Sequence, residues 1–315
     1  MKTHEDGAVP AAERIASLGY DYAAQHKERQ SHCNLCGGAV WTVLAHRDRY
    51  GFSAVTTACN RCGLTLLNPR MGEADYGRFY ESVYRPLVSA YYGRCIDAVS
   101  IQAEQQAYSE ELAGVVDEFL AERNGPSLLD VGGSTGVVSA HLARAYGVKP
   151  TVLDPAPEEI HEAEALGIET ITSLVEDWDP GGKQYDIVGM FQTIDHLLDV
   201  AGTLAKLRSV IADDGLLLVD IVDFRANYLK YWSIESALKI DHPFSLTEET
   251  AEAYLARAGF EPVKRSYSAD YHLVLYVCRP CTPDPDALPA PDSVARFFRE
   301  VRFVQNAPRP GVGAA

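Results

Sequence analysis

Two kinds of residue pattern in this chain could do chemistry: paired cysteines, and an acid set before a glycine-rich turn. The pairs are Cys33-Asn34-Leu35-Cys36-Gly37-Gly38 and Cys59-Asn60-Arg61-Cys62-Gly63-Leu64, two C-x2-C-G knuckles separated by 22 residues. The glycine after each second cysteine permits the tight turn that aims backbone N–H groups at thiolate sulfur. Thiolates of Cys33, Cys36, Cys59 and Cys62 make a closed tetrahedral zinc site, and a site with no open position is structural. A module this small cannot bury an adequate apolar core, so the metal supplies much of its folding free energy. His32 and His46 are close by and unnecessary as ligands.

The second pattern is Ser127-Leu128-Leu129-Asp130-Val131-Gly132-Gly133-Ser134-Thr135-Gly136, followed directly by the periodic segment Val137 to Ala145. It reads as buried strand, tight turn and helix, the first βα unit of a doubly wound sheet. Glycines at 132, 133 and 136 let backbone approach a ligand, and the helix that opens there presents unpaired N–H groups. Pro150-Thr151-Val152-Leu153-Asp154 is a second strand ending in an acid, about 20 residues on, where such folds hold a ribose. Asp130, at the tip of the first strand, would repel a pyrophosphate and speaks against a dinucleotide. It suits an adenosine ligand with an ammonium, a sulfonium and no phosphate, which is S-adenosylmethionine. Asp130, Gly132, Gly133, Ser134 and Gly136 would hold its methionine end, Asp154 its ribose hydroxyls and Asp177 its adenine, with Phe191 and Gln192 flanking the sulfonium. An ordinary strand–helix turn with surface acids is the competing account.

The elements that must position these residues follow from composition and order. With 315 residues and 47% hydrophobic content the chain can bury one large core beside a smaller module. A formal charge of −16 and the lack of any Lys/Arg run oppose nucleic acid as a partner. No apolar run approaches the length of a membrane span, and the start of the chain has no apolar signal core. Seven cysteines, four of them in knuckles, fit metal binding in a reducing cytoplasm better than disulfides. The oligomeric state is left open.

In order, residues 1–30 read as a frayed tail with one short helix, and 31–72 as the zinc ribbon. Residues 73–123 form a helical connecting segment, 124–281 the cofactor-binding domain, and 282–315 a tail with a short helix and a disordered end. The helical segment carries Tyr76, Phe79, Tyr80 and Tyr84 on one face, with Tyr91, Tyr92, Tyr108 and Phe119 beyond. This stripe serves packing, with one or two phenols free to line a pocket. Tyr185 to Phe191 is the fourth strand, and Gln192-Thr193-Ile194-Asp195-His196 lies just past its carboxyl end, where open α/β sheets bind ligands. The region 223–243 is aromatic again. Thr247-Glu248-Glu249 opens a helix that Gly259 closes. Cys278-Arg279-Pro280-Cys281 has no second pair nearby and is incidental.

Together these residues resemble the class I S-adenosylmethionine-dependent methyltransferases that carry an N-terminal zinc-binding domain, a group that includes sugar C-methyltransferases and natural-product enzymes. The matching pieces are the four cysteines with Gly63-Leu64 and Asn68-Pro69-Arg70, the loop Leu129–Gly136, and Tyr185-Asp186-Ile187-Val188. Asp195-His196-Leu197-Leu198-Asp199, His242-Pro243-Phe244-Ser245 and Ala258-Gly259-Phe260 complete them. The resemblance implies an α/β fold: a doubly wound, seven-stranded Rossmann-like methyltransferase sheet beside the ribbon and the helical segment. It implies methyl transfer to a small-molecule acceptor, a nucleotide-linked sugar or a natural-product intermediate, at carbon or oxygen. In this chain Ser134 replaces a glycine, Asp195 replaces a glutamate, and the extra C-terminal domain of the sugar enzymes has no counterpart.

Methyl transfer asks the protein to align an acceptor and remove its proton. His196 is the first choice of base and His242 the second, because histidine titrates near working pH. Both also suit structural roles. Asp195 would orient His196 or cap the following helix. Apolar polyketide, isoprenoid or phenolic acceptors fit the aromatic regions, whereas a nucleotide sugar calls for Arg85, Arg94, Arg225 and Lys230 to converge on its diphosphate. A zinc-ribbon binding protein with an inert methyltransferase-like domain is the reading from another class.

Overall fold

The computed structural model describes residues 9–307. The chain opens with α1 (Ala11–Ser17) and β1 (Lys27–Glu28), then the ribbon strands β2 (Trp41–Arg47), β3 (Ser53–Cys59) and β4 (Thr65–Leu67), and β5 (Arg70–Met71). Residues 9–30, expected as a frayed tail, are packed. Strand β1 pairs antiparallel with β5, Tyr22 is 1% exposed, and Tyr20 meets Phe52 and Phe79 at ring distances of 5.8 Å. Aromatic side chains in a polar stretch anchored what composition alone suggested was loose. Arg14 reinforces this by donating to the carbonyls of Ala90 and Tyr91 (2.6 and 2.9 Å).

Helices α2 (Glu73–Ser82), α3 (Tyr84–Tyr92) and α4 (Gln102–Leu120) connect to the main domain. That domain alternates β6 (Ser127–Val131), α5 (Val137–Tyr146), β7 (Lys149–Asp154), α6 (Pro157–Ala165), β8 (Glu169–Thr172), β9 (Tyr185–Met190), α7 (Val200–Val210) and β10 (Ile211–Val222). After α8 (Phe224–Tyr231), α9 (Ile234–Ala237) and β11 (Phe244–Ser245) come α10 (Glu248–Ala258), β12 (Phe260–Tyr267), β13 (Leu273–Pro280) and α11 (Pro291–Asn306). The seven-stranded sheet has the order β12-β13-β10-β9-β6-β7-β8, and β13 runs antiparallel to both neighbours. The five strands from β10 to β8 are parallel. The order reverses between β6 and β9, so ligands have their crevice above those carboxyl ends.

Both faces of the sheet are buried, as helical crossovers require. Leu128 packs on one side with Leu112, Val116 and Leu120 of α4, spaced four apart on a single helical face. Leu129, the next residue, packs on the other side with Leu204 and Leu207 of α7. Helix α10 starts with a Thr247 capping box and ends at Gly259 (φ +83°), as the sequence indicated.

The ribbon is joined to this domain through its sheet. Strand β11 pairs with β4, placing Phe244 opposite Leu66 and making a four-stranded sheet β11-β4-β3-β2. Helix α11 is no tail appendage: Phe297, Val301 and Val304 are buried against Leu44 and Ala58 of the ribbon and Phe224 and Tyr228 of α8. The disordered end expected beyond it lies outside the described residues. No helix among the described residues is long and apolar enough to cross a membrane.

Candidate functional site

The four knuckle sulfurs come together. Sγ atoms of Cys33, Cys36, Cys59 and Cys62 all lie within 4.8 Å of one another, with Cys33–Cys62 and Cys36–Cys59 both at 3.5 Å. Zn–S bonds of about 2.3 Å set tetrahedral edges near 3.8 Å, so this donor set fits a closed zinc site. Each knuckle turns at a left-handed glycine, Gly37 (φ +71°) and Gly63 (φ +78°). The N–H of Gly38 donates to Cys36 Sγ (3.4 Å). The knuckle also grips the main domain. Asn34 donates to Asp199 (2.8 Å) and its Oδ1 accepts from the Ala201 N–H (3.1 Å) and the Tyr254 hydroxyl (2.8 Å).

In the crevice, Asp130 is fully buried at the tip of β6. Its Oδ2 accepts from Ser139 Oγ (2.8 Å), while Oδ1 has no partner. Burial without a countercharge raises its pKa to about 7. The glycines after it are required by the chain's own packing. A Cβ at Gly133 would lie 2.8 Å from the Asp130 carboxylate, and one at Gly132 (φ +70°) would lie 2.5 Å from Thr193. The loop thus wraps tightly over a buried acid whose free oxygen needs a positive partner, and the residues fit a ligand ammonium.

Asp154 is held by backbone on both oxygens: Oδ2 accepts from the Ser134 N–H of the loop (3.0 Å) and Oδ1 from the Ala156 N–H (2.8 Å). Burial, with Glu159 nearby, lifts its pKa to about 7. Ser134 holds φ +52° without being glycine, and its hydroxyl donates to Glu159 rather than remaining free for a ligand carboxylate. Glu159 also pairs with Arg85 of α3, and Gln105 of α4 donates to Ser134 Oγ (3.3 Å). Glu159 and Gln105 were not read from the sequence, because only the tertiary fold brings them to the loop. Phe191 is buried beside Tyr108 (6.1 Å between rings), and Gln192 (φ +52°) is exposed, its N–H donating to Asp220 Oδ1 (2.5 Å). The Tyr108 hydroxyl donates to Asp220 Oδ2 (2.7 Å), which gives that tyrosine a polar task beyond packing. Asp177 is exposed in the turn after β8.

Beyond β9 the structure brings the two expected histidines together, with ring centroids 4.5 Å apart. A donor atom from each, and a carboxylate oxygen of Asp241, all fall within 4.8 Å of one another. The Tyr80 hydroxyl donates its single proton to the Asp241 carbonyl (2.8 Å), so it accepts from His196 Nδ1–H (2.8 Å). This places the proton on Nδ1 and leaves Nε2 with a free lone pair. Burial lowers the His196 pKa to about 4 and pushes His242 well down, so both imidazoles are neutral at pH 7. Lys239 Nζ lies 3.2 Å from His242 Nε2.

Asp195 does neither thing expected of it. Its buried Oδ2 accepts from the Val222 N–H (3.1 Å), Tyr80 orients His196 instead, and the cap of α7 is Asp199, which accepts from the Gly202 N–H. Arg85, Arg94, Arg225 and Lys230 do not converge; they pair separately with Glu159, Glu104, Glu300 and Asp270.

The sheet order, the single antiparallel strand and the acid-tipped glycine loop define a methyltransferase-type doubly wound domain. Residues 103–265 match the family described as "Methyltransferase domain", and the chain belongs to that family. It is similar to histamine N-methyltransferase of Cavia porcellus, 20% identical over 50% of this chain and 60% of that protein. A ubiquinone biosynthesis O-methyltransferase of Azorhizobium caulinodans is 26% identical over 44% of this chain and 59% of the relative. The chain thus spans about 60% of the length of these two relatives. Among solved structures it is similar to magnesium protoporphyrin IX methyltransferase from Synechocystis PCC 6803 with bound SAM. That match has 16% identity over 66% of this chain and 96% of the other, at a TM-score of 0.46.

Proposed function

We propose that this chain is a cytoplasmic S-adenosylmethionine-dependent methyltransferase of small-molecule acceptors, with a structural zinc ion in its N-terminal ribbon. The observation that carries the reading is Asp130, a buried carboxyl with an unshared oxygen under a glycine loop of a methyltransferase-family domain. Asp130 and the loop from Gly132 to Gly136 hold the methionine end, Asp154 the ribose, Asp177 the adenine, and Phe191 and Gln192 the sulfonium. The bound donor supplies an already activated methyl group. The chain's own work is then to orient the acceptor and take its proton.

His196 Nε2 is the proton acceptor, and His242 packs against it to shape the same pocket. Tyr80 keeps His196 in the tautomer that this role needs. The walls around the pair are aromatic: Tyr80 and Tyr84 lie within 6.0 Å of His196, ring to ring. This favours a natural-product acceptor of phenolic or polyketide type over a nucleotide-linked sugar, whose diphosphate would meet cations that are already paired with carboxylates.

Calorimetry with S-adenosylhomocysteine tests the reading: binding at micromolar concentration is expected, and no binding would favour the inert-scaffold alternative. In turnover with an identified acceptor, His196→Ala is expected to lower kcat by at least ~100-fold with unchanged affinity for the donor product. Unchanged kcat would remove His196 from the mechanism.

A further inference from the structure

The groups around the histidine pair form a cation site that the chain fills with its own lysine. His196, His242 and Asp241 present two neutral imidazoles and a carboxylate within 4.8 Å, a set that attracts a cation. Asp241 is 1% exposed and its Oδ1 has no partner. The ammonium of Lys239 sits against this set, 3.2 Å from His242 Nε2. Burial lowers the Lys239 pKa from the ordinary lysine value; Asp241 and Asp195 favour its charge, and Arg49, held by the Ser236 carbonyl and stacked on Tyr91, opposes it. Among the described residues Lys239 forms no ion pair with a carboxylate, so N–H donors on Nζ are left for a ligand.

The base poses a problem that this lysine answers. A histidine with a pKa near 4 faces an ordinary phenol near 10, an unfavourable factor of about 10⁶ in proton transfer. Something must stabilise the acceptor's negative charge as the proton leaves. We infer that Lys239 is the oxyanion-holding residue of the acceptor pocket, and that the acceptor is therefore a phenol, enol or other carbon or oxygen acid rather than an amine. The acceptor's O–H or C–H proton passes to His196 Nε2, and the electron pair it leaves, on oxygen or conjugated to it, forms the new bond to the methyl carbon. The C–S pair returns to sulfur. Charge sums to zero at the acceptor end, because the histidine gains what the acceptor oxygen loses. An amine acceptor would gain positive charge beside Lys239 in the same step, which the ammonium disfavours.

This rests on the methyltransferase reading, so the test separates the two. The full-length zinc-loaded protein is saturated with S-adenosylhomocysteine and titrated with 4-nitrophenol, whose phenolate is coloured. The phenol's pKa is expected to fall by about one unit or more on the protein, a tenfold or greater gain in phenolate. Lys239→Met should abolish the shift and Lys239→Arg should keep most of it, both with unaltered S-adenosylhomocysteine affinity and melting temperature. Benzylamine should not compete. Unchanged colour in the wild type, a phenol pKa shift that persists in Lys239→Met, or competition by benzylamine would each overturn the inference. So would a phenolate shift that requires added Mn²⁺ or Mg²⁺, since the cation would then be a metal. Failure to bind S-adenosylhomocysteine would instead overturn the methyltransferase reading.

Discussion

Binding of the donor product should take up the charge of Asp130, and pH measures this directly. In the ligand-free chain this carboxyl has a pKa of about 7, against an ordinary 3.8, because burial disfavours its charge. A ligand ammonium needs it ionised. At pH 6 about one molecule in eleven has the ionised form, and at pH 8 about ten in eleven, so affinity should rise about tenfold, or ~1.4 kcal/mol. Asp154 also titrates near 7, and if ribose contacts need it ionised the rise approaches a hundredfold. Without ligand the sign is opposite. A carboxyl whose folded pKa lies above its unfolded one stabilises the fold most below pH 4 and loses this as pH rises through 7. Melting temperature should therefore fall from pH 5 to 8 while the increment given by S-adenosylhomocysteine grows. Calorimetry at pH 6 in two buffers of different ionisation enthalpy should register proton release. Asp130→Asn should weaken binding about 10- to 100-fold at pH 8 and remove the tenfold share of the pH dependence. Affinity that is flat from pH 6 to 8, or equal in wild type and Asp130→Asn, would refute the placement of the ammonium.

Removing zinc with a chelator, or Cys59→Ser, should abolish acceptor turnover while S-adenosylhomocysteine still binds, read by calorimetry beside a zinc-release assay. The Asp130 loop is braced by Gln105 and Arg85 of the helical segment, whereas the His242 loop hangs on the ribbon. Tyr80→Phe frees the His196 ring and should lower kcat roughly tenfold with little change in donor affinity. Nitrogen NMR of the imidazole should then show a mixture of tautomers, where the wild type shows Nδ1–H alone. Phe297→Ala, in α11, should cost about 3 kcal/mol and lower the melting temperature by several degrees. A loss below 0.5 kcal/mol would mark that helix as a dispensable appendage.

What was legible in the sequence was what local spacing encodes. Each knuckle, the acid-tipped strand, the glycine turn and the helix after it lie within a dozen residues, and each forms as read. The surroundings of the two histidines were only half legible. His196 and His242 stand out as loop histidines, but what tunes them comes from far away in sequence. Tyr80 is 116 residues from His196 and 161 from Asp241, the residue whose carbonyl takes its proton. Lys239 carries no local signal within its aromatic stretch, since one sequence shows neither its burial nor its neighbours. In residues 9–30 the expected short helix is present as α1, but the frayed tail is not, for a related reason. Tyr20 and Tyr22 lie among charged residues, and what makes them core is the presence of Phe52 and Phe79 opposite them.

These distant contacts fall on one short segment, and that explains why the ribbon and the methyltransferase-family domain form a single unit. The stretch from Leu238 to Ser245 carries Lys239, Asp241 and His242, yet its backbone is held chiefly by residues from the N-terminal half. The Arg49 N–H donates to the Leu238 carbonyl (2.9 Å), and Asp48 Oδ2 accepts from the Ile240 N–H (3.0 Å). Tyr76 and Tyr80 donate to the carbonyls of Ile240 and Asp241 (3.0 and 2.8 Å), and the Leu67 N–H donates to that of Pro243 (3.0 Å). Strand β4 then pairs with Phe244 and Ser245. Each bond alone is worth about 1 kcal/mol or less. Together they set the register of the segment, and a shift of one residue would carry His242 away from His196. A metal bound by the four thiolates at the base of β3 and β4 would thus help to place a histidine on the far side of the same small sheet, and its loss should be felt first in acceptor chemistry and only later in donor binding.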